Sequence, residues 1–362
     1  MLTGNRHAFI RVTAYAALLA ALVLTGCKKA PPPDGVCTYE ELPAGSDVPS
    51  GQGGVQVTAT TDVYFYVFDG TGKQIGYQGA NRLLAVKPGE YQLKLNNSGH
   101  PISLSSKMLA KCSSGTVQAT GKTDEYYYIF DAAGTQLAYN KLGSALSLFP
   151  GKFQARLNNT PTSVDVNPNA IAELKAGTLN VLGSTDEYYY VFNGAGTQLA
   201  YNKLGRALGL FAGSYNVRVN NSSVPVTITA AGAIDVQSGA LVVQGATDEY
   251  YYVFNSLGTQ LAYNKLGKAL SFVEGAYTAK VNNGAFPVKV DPSRTNEFQT
   301  GTVTVKGTGS DYYYVFDTNG TQLGYNKLNQ PLSFPAGSYS VKVANNARPV
   351  AVAAGQAVVV NW

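Results

Sequence analysis

This chain is short of charge. Asp, Glu, Lys and Arg make up only 14% of its 362 residues. No run of basic residues is present, which argues against a nucleic-acid partner. Histidine occurs twice, as His7 and His100, so no Ser-His-Asp set and no histidine-built metal cluster can be assembled. A Gly-rich phosphate cradle is missing too. We therefore expect no catalytic residue, no metal and no cofactor, and hence not an enzyme. No stretch has the periodicity of a useful amphipathic helix. What the chain has in quantity is Gly (39) and Tyr (25), with much Val and Thr. That composition suits many short strands joined by tight turns.

The strands come in copies. Phe68, Phe130, Phe192, Phe254 and Phe316 recur every 62 residues, and so do Gly89, Gly151, Gly213, Gly275 and Gly337. A long internal period marks one small unit repeated in tandem. A copied unit presents the same surface many times, whereas an active site is usually built once.

The N-terminus reads as a targeting segment. Arg6 and Arg11 precede a short apolar run, Ala14 to Leu24, which ends in Leu24-Thr25-Gly26-Cys27. The run is too short to span a bilayer comfortably. The sequence resembles the lipobox of bacterial lipoproteins. The resemblance implies cleavage before Cys27 and diacylglycerol on its sulfur, with an ordinary secretory signal as the alternative. Lys28 after the cysteine implies the outer membrane. Loss of residues 1–26, which hold no acid, lowers the formal charge from +5 to about +3. Export leaves Cys37 and Cys112 in an oxidising compartment, where they are expected to pair. Cys112 stands where later copies carry Leu174, Val236, Phe298 and Val360, an inward-facing series. A disulfide would pin the N-terminal segment onto the first copy; the alternative is two unreactive thiols.

After a Pro/Gly-rich tether (27–52) we divide the chain into repeats 53–114, 115–176, 177–238, 239–300 and 301–362. In the third, Leu179 and Val181 mark a first strand, Tyr188 to Phe192 a second and Thr197 to Tyr201 a third. Leu208 and Leu210 mark a fourth, and Tyr215, Val217 and Val219 a fifth. Val226 and Ile228 mark a sixth, and Ile234 and Val236 a seventh. The expected fold is all-β: five tandem seven-stranded β-sandwich modules in a rod-like array. Linkers such as Gln237-Ser238-Gly239-Ala240 are short, so neighbours should touch and support one another. The pattern of an aromatic strand ending in Asp or Asn, a Gly turn, and a run such as Phe149-Pro150-Gly151-Lys152-Phe153 looks like the PEGA and carboxypeptidase-regulatory-like modules. That resemblance implies a transthyretin-type sandwich.

Two rows of side chains are candidates for binding. Each copy carries three consecutive aromatics, such as Tyr126-Tyr127-Tyr128, with Tyr64-Phe65-Tyr66 in the first. Because every copy has Phe at 130 or its equivalent, we place Tyr126, Tyr128 and Phe130 toward the core. That leaves Tyr127, Tyr189, Tyr251 and Tyr313 as an outward ladder. Such a ladder either stacks sugar rings or partner chains, or covers the outer sheet and packs between modules. The second row, Lys94, Arg156, Arg218, Lys280 and Lys342, faces outward on strand five. It either tracks an anionic polymer or protects a sheet from edge pairing. Lys141, Lys203, Lys265 and Lys327 are placed to pair with acids of the Asp124-Glu125 type. These acids alternate in direction and make no catalytic pair. Asp131-Ala132-Ala133-Gly134 fits a type I turn, and Asn159 and Asn221 read as turn residues. The expectation is a lipid-anchored envelope protein, structural or adhesive, that binds an envelope protein or polysaccharide weakly at many points. A carbohydrate-binding lipoprotein and a subunit of an envelope assembly are the alternatives.

Overall fold

A computed structural model describes residues 35–362. The proposed lipidation site, Cys27, lies outside the described residues. Every regular element among those described is a strand. Strand β1 (Cys37–Glu41) is followed by the first module: β2 (Gly53–Thr58), β3 (Tyr64–Phe68), β4 (Gln74–Gly79), β5 (Leu83–Val86), β6 (Gly89–Leu95), β7 (Ser98–Leu104) and β8 (Met108–Ser113). The second module repeats the plan as β9 (Gly115–Thr120), β10 (Tyr126–Phe130), β11 (Gln136–Lys141), β12 (Ala145–Leu148), β13 (Gly151–Leu157), β14 (Thr160–Val166) and β15 (Ile171–Lys175).

Two sheets face each other in each module. The larger has the order β11-β10-β13-β14 and is antiparallel throughout; the smaller has the order β12-β9-β15, with β9 and β15 parallel. Alternation fixes what each strand buries. In β13 Ala155 and Leu157 point inward, as do Val164 and Val166 in β14. Five hydrophobic cores result, one per module. The β13–β14 hairpin closes through Asn158 and Asn159, both at positive φ (47° and 58°). Two positive φ angles in a two-residue loop are the requirement of a type I′ turn, and Asn tolerates them better than most side chains. The Asp131 turn also forms as read, with the Gly134 N–H donating to the Asp131 carbonyl.

Strand β1 corrects part of the tether assignment. Residues 37–41 pair antiparallel with β8 and widen the smaller sheet of the first module. A disulfide joins Cys37 to Cys112 across 75 residues. Both cysteines are fully buried in the first core, as the inward-facing series required. Closing a loop of that length stabilises by about 4–5 kcal/mol in the chain-entropy model. Between the third and fourth modules no linker remains: one strand, Ala233–Gln244, is the last of one module and the first of the next.

Candidate functional site

The second strand of each module decides which aromatics meet solvent. Tyr127, Tyr189, Tyr251 and Tyr313 are fully buried, at 0% exposure. The expected outward ladder therefore lies in the core. The reason is register. Tyr128 stands opposite Arg156 on the neighbouring strand, and Ile129 opposite Ala155. Cross-strand partners share a face. An outward Arg156 thus forces Tyr128 outward and sends Tyr127 and Ile129 inward. Burial of a tyrosine requires a partner for its hydroxyl. The Tyr127 hydroxyl donates to the Ser144 carbonyl (2.8 Å), Tyr189 to Arg206 (2.8 Å), Tyr251 to Lys268 (2.7 Å) and Tyr313 to Gln330 (2.7 Å). Burial pushes all four phenols well above their usual pKa. In the first module Phe65 takes this place.

The exposed aromatic surface is the opposite face. Tyr126, Tyr128 and Tyr139 lie together on the outside of the second module, and Tyr139 is 58% exposed. Ring centroids of Tyr126 and Tyr139 are 5.9 Å apart, and those of Tyr128 and Tyr139 5.8 Å. The first module repeats the group with Tyr64, Tyr66 and Tyr77, and the fourth with Tyr250, Tyr252 and Tyr263. The cationic row belongs to the same surface. Lys94 sits over the Phe68 ring at 4.7 Å, Arg156 over Phe130 at 4.2 Å and Arg218 over Phe192 at 4.1 Å. Lys280 covers Phe254 at 4.4 Å and Lys342 covers Phe316 at 4.3 Å. The recurring Phe, taken from the sequence as core, is thus a half-buried platform for a cation.

Three of the four expected lysine–acid pairs form; the fourth, at Lys327, does not appear among the described residues, because Ser310 stands where the other copies have Asp124, Asp186 and Asp248. Lys141 meets Asp124 at 3.3 Å, Lys203 meets Asp186 at 2.6 Å and Lys265 meets Asp248 at 2.7 Å. The acids are 85–86% exposed, so each pair adds only about 0–1 kcal/mol. The hydrogen bond from Lys203 to Asp186 holds that ammonium above its usual pKa.

Sequence reading missed the second member of each acidic pair. Glu125 accepts from the Gly209 backbone N–H of the next module (2.7 Å) and from the Asn158 side chain (2.5 Å). Asn158 also donates to the Gly209 carbonyl at 3.0 Å, and Asn159 to the Leu199 carbonyl at 2.7 Å. Glu187 with Asn220 and Glu249 with Asn282 repeat the arrangement against Ser271 and Ser333. A side chain also crosses each of the first three junctions. Phe149 of the second module completes the first core, Phe211 completes the second, and Val273 the third. The signal was available in the copies: Glu is present at 125, 187 and 249, each facing a following module, and Asp311 stands at the equivalent position of the fifth copy.

No protein-family model matches the chain, and no curated protein does. Among solved structures it is similar to the Bacillus anthracis TIE protein, at 12% identity over 75% of each chain with a TM-score of 0.16. It is similar to BcpA, the major pilin subunit of Bacillus cereus, at 10% identity over 86% of this chain and 98% of that one, TM-score 0.16. The pilus adhesin SpaC from Lactobacillus rhamnosus GG matches at 10% identity over 76% of this chain and 47% of that one, TM-score 0.17. At these values the likeness carries no argument about function.

Proposed function

We propose that this chain is a non-enzymatic, lipid-anchored protein of the bacterial envelope that holds five equivalent binding surfaces in line and works structurally or adhesively. The observation that carries this reading is the outward tyrosine group beside a ring-bound cation, built at the same positions in all five copies. Five weak contacts on one chain act as a strong one when the geometry lets several engage. The anchor is Cys27, on the lipobox resemblance, and Lys28 favours the outer membrane. The likeness of the repeat pattern to PEGA-type modules accords with an envelope accessory.

Two experiments test this. Labelling of cells with a clickable palmitate analogue should mark the wild type and leave Cys27→Ser unmarked; an equal signal in both removes the lipid anchor. Protease added to intact cells should cut the chain if it projects outward as an adhesin, and spare it if it is a periplasmic scaffold.

A second reading, carbohydrate binding, is favoured by the same face. Its residues differ from those picked out by the sequence: Tyr128 and Tyr139, with their counterparts, replace Tyr127 and Tyr189. The assembly-subunit reading rests on open strand edges such as Ile171–Lys175, and sedimentation at two concentrations tests it.

A further inference from the structure

The junctions shape the aromatic face into grooves. Between the fourth and fifth modules lies a groove of 720 Å³. Tyr250, Tyr252 and Phe254 form its floor, Lys280 flanks them, and Leu323 and Tyr325 of the fifth module form the far wall. The second module carries the counterpart, 540 Å³, along Tyr126, Tyr128, Phe130 and Arg156 up to the Asn158 turn. Nothing in the fold requires this stripe. The core is complete without Tyr252 and Tyr325, which lie outside it.

The charges in the groove are not equivalent. Asp248 is paired with Lys265, and Glu249 is occupied by the Ser333 N–H and Asn282. Lys280 is in no ion pair among the described residues. Its ammonium rests on the Phe254 face, which fixes its position and leaves its outer side to solvent. Each of these two grooves therefore offers aromatic faces and one positive charge in no ion pair among the described residues, and the same cation-on-ring pair recurs in every module. A protein partner would favour a continuous apolar centre depleted of charge. Nucleic acid would require a dense basic surface, and the composition supplies none. Aromatic faces fit the apolar faces of sugar rings, and a single cation per step fits a sparse carboxylate.

We infer that the outward aromatic face, with its junction grooves, binds an acidic polysaccharide, with sugar rings on the outward tyrosines and sugar carboxylates at Lys94, Arg156, Arg218, Lys280 and Lys342. This rests on the adhesive reading and names its partner. Arginine serves in two of the five copies and lysine in three, as a charge requirement allows and a bidentate one would not.

The test uses the full chain in a flow cell with three surfaces: alginate, dextran and collagen. Retention is expected on alginate, far above dextran, and should fall at least about tenfold from low to high salt as screening increases. Changing all five cations to Gln should abolish it, whereas Arg156→Lys with Arg218→Lys should keep it. The set Tyr139→Ala, Tyr201→Ala, Tyr263→Ala and Tyr325→Ala should weaken it at least about tenfold through lost stacking and lost avidity. All these side chains lie outside the cores, so each variant should keep a cooperative melt, lowered only by the lost ring contacts, which confirms folding. Equal retention on dextran and alginate, unaffected by the Gln set, overturns the acidic partner. Retention on collagen alone overturns the polysaccharide and leaves the adhesive reading standing. Retention on none of the three overturns both.

Discussion

The junction between the second and third modules and the outer end of the fifth are made from equivalent positions filled in opposite ways. At the junction Glu125, Asn158 and Thr160 reach across to Gly209 and Phe211, and the Thr123 hydroxyl donates to Glu125 from within the second module. At the outer end the same four positions hold Gly309, Asp311, Ala344 and Asn346. The sixth strand of the fifth module (Asn346–Val352) exposes its first four residues, whereas Ser222 is buried at the start of the equivalent strand in the third. Arg348 covers the Trp362 ring there at 4.5 Å. The first module shows the converse on its receiving side. Lys87, exposed, stands where Phe149, Phe211 and Val273 plug into a preceding core. Repeat arrays need end copies with polar outer faces. The difference teaches that neighbour contact, and not the module's own fold, accounts for these side chains.

The sharpest way to break the comparison is at Phe211. Phe211→Ala should cost about 3–5 kcal/mol, since a buried ring is lost and a cavity opens in the second core. Because the ring comes from the third module, hydrogen exchange should speed up in both. Lys87→Ala, at the equivalent position of the first module, should stay within about 0.5 kcal/mol. Loss confined to the third module would mean that the cores are not coupled.

The carboxylates come next. Glu187→Ala leaves the Ser271 N–H without its acceptor and the Asn220 amide with only the Ser271 carbonyl, a cost of about 1–3 kcal/mol. Faster exchange at the Ser271 amide is the direct readout. Asp311→Ala, whose carboxylate makes no junction contact among the described residues, should change nothing measurable. Equal effects at the two sites would show that the carboxylate serves its own module instead of the junction.

How much of this the sequence held varies with distance along the chain. The seven strands per copy follow from local alternation, and the period and the burial of Cys112 from laying the copies over one another. The facing of Tyr127 did not, because the strand is aromatic on both sides and its neighbour's register decides. One clue was in reach. The first copy reads Tyr64-Phe65-Tyr66, and the single ring without a hydroxyl is the one placed in the core. The Asn158-Asn159 pair was legible as a turn, since that is a local property. Its bridge to Gly209 and Leu199 depends on how modules stack, which no one copy encodes.

The buried tyrosines allow a smaller test with a pH signature. Burial raises the Tyr251 phenol above the 10.0 of an exposed tyrosine. Its proton therefore stabilises the fold fully below pH 10, and this contribution fades as pH rises further, because the unfolded chain then binds fewer protons. The slope is roughly 1.4 kcal/mol per pH unit for the ring. Tyr251→Phe should cost about 1–1.5 kcal/mol at pH 8 through the lost hydrogen bonds. At pH 11 that deficit should shrink or reverse. Denaturant melts at the two pH values measure it, and an unchanging deficit would mean that the phenol ionises freely in the folded chain. The first module already carries Phe65 and should show no such dependence on this position.

The fourth junction supplies the finest comparison. At the other three a hydroxyl accepts from a backbone N–H of the following module: Ser98 from Phe149, Thr160 from Phe211, Ser222 from Val273. At the fourth the hydroxyl is replaced by Gly284 and the N–H by Pro335, so donor and acceptor are absent together. A Cβ on Gly284 would lie 2.9 Å from the Pro335 ring. Gly284→Ser alone should therefore destabilise by overpacking, and Pro335→Val alone by leaving a buried N–H without a partner. Together they rebuild the bond found at the other junctions and should stabilise by about 0.5–1 kcal/mol. A double-mutant cycle on the melting of the fourth and fifth modules reads the coupling directly. Two losses that turn into a gain when combined would show that the pair acts as one contact. Simple additivity would mean that Gly284 and Pro335 sit opposite each other without depending on each other.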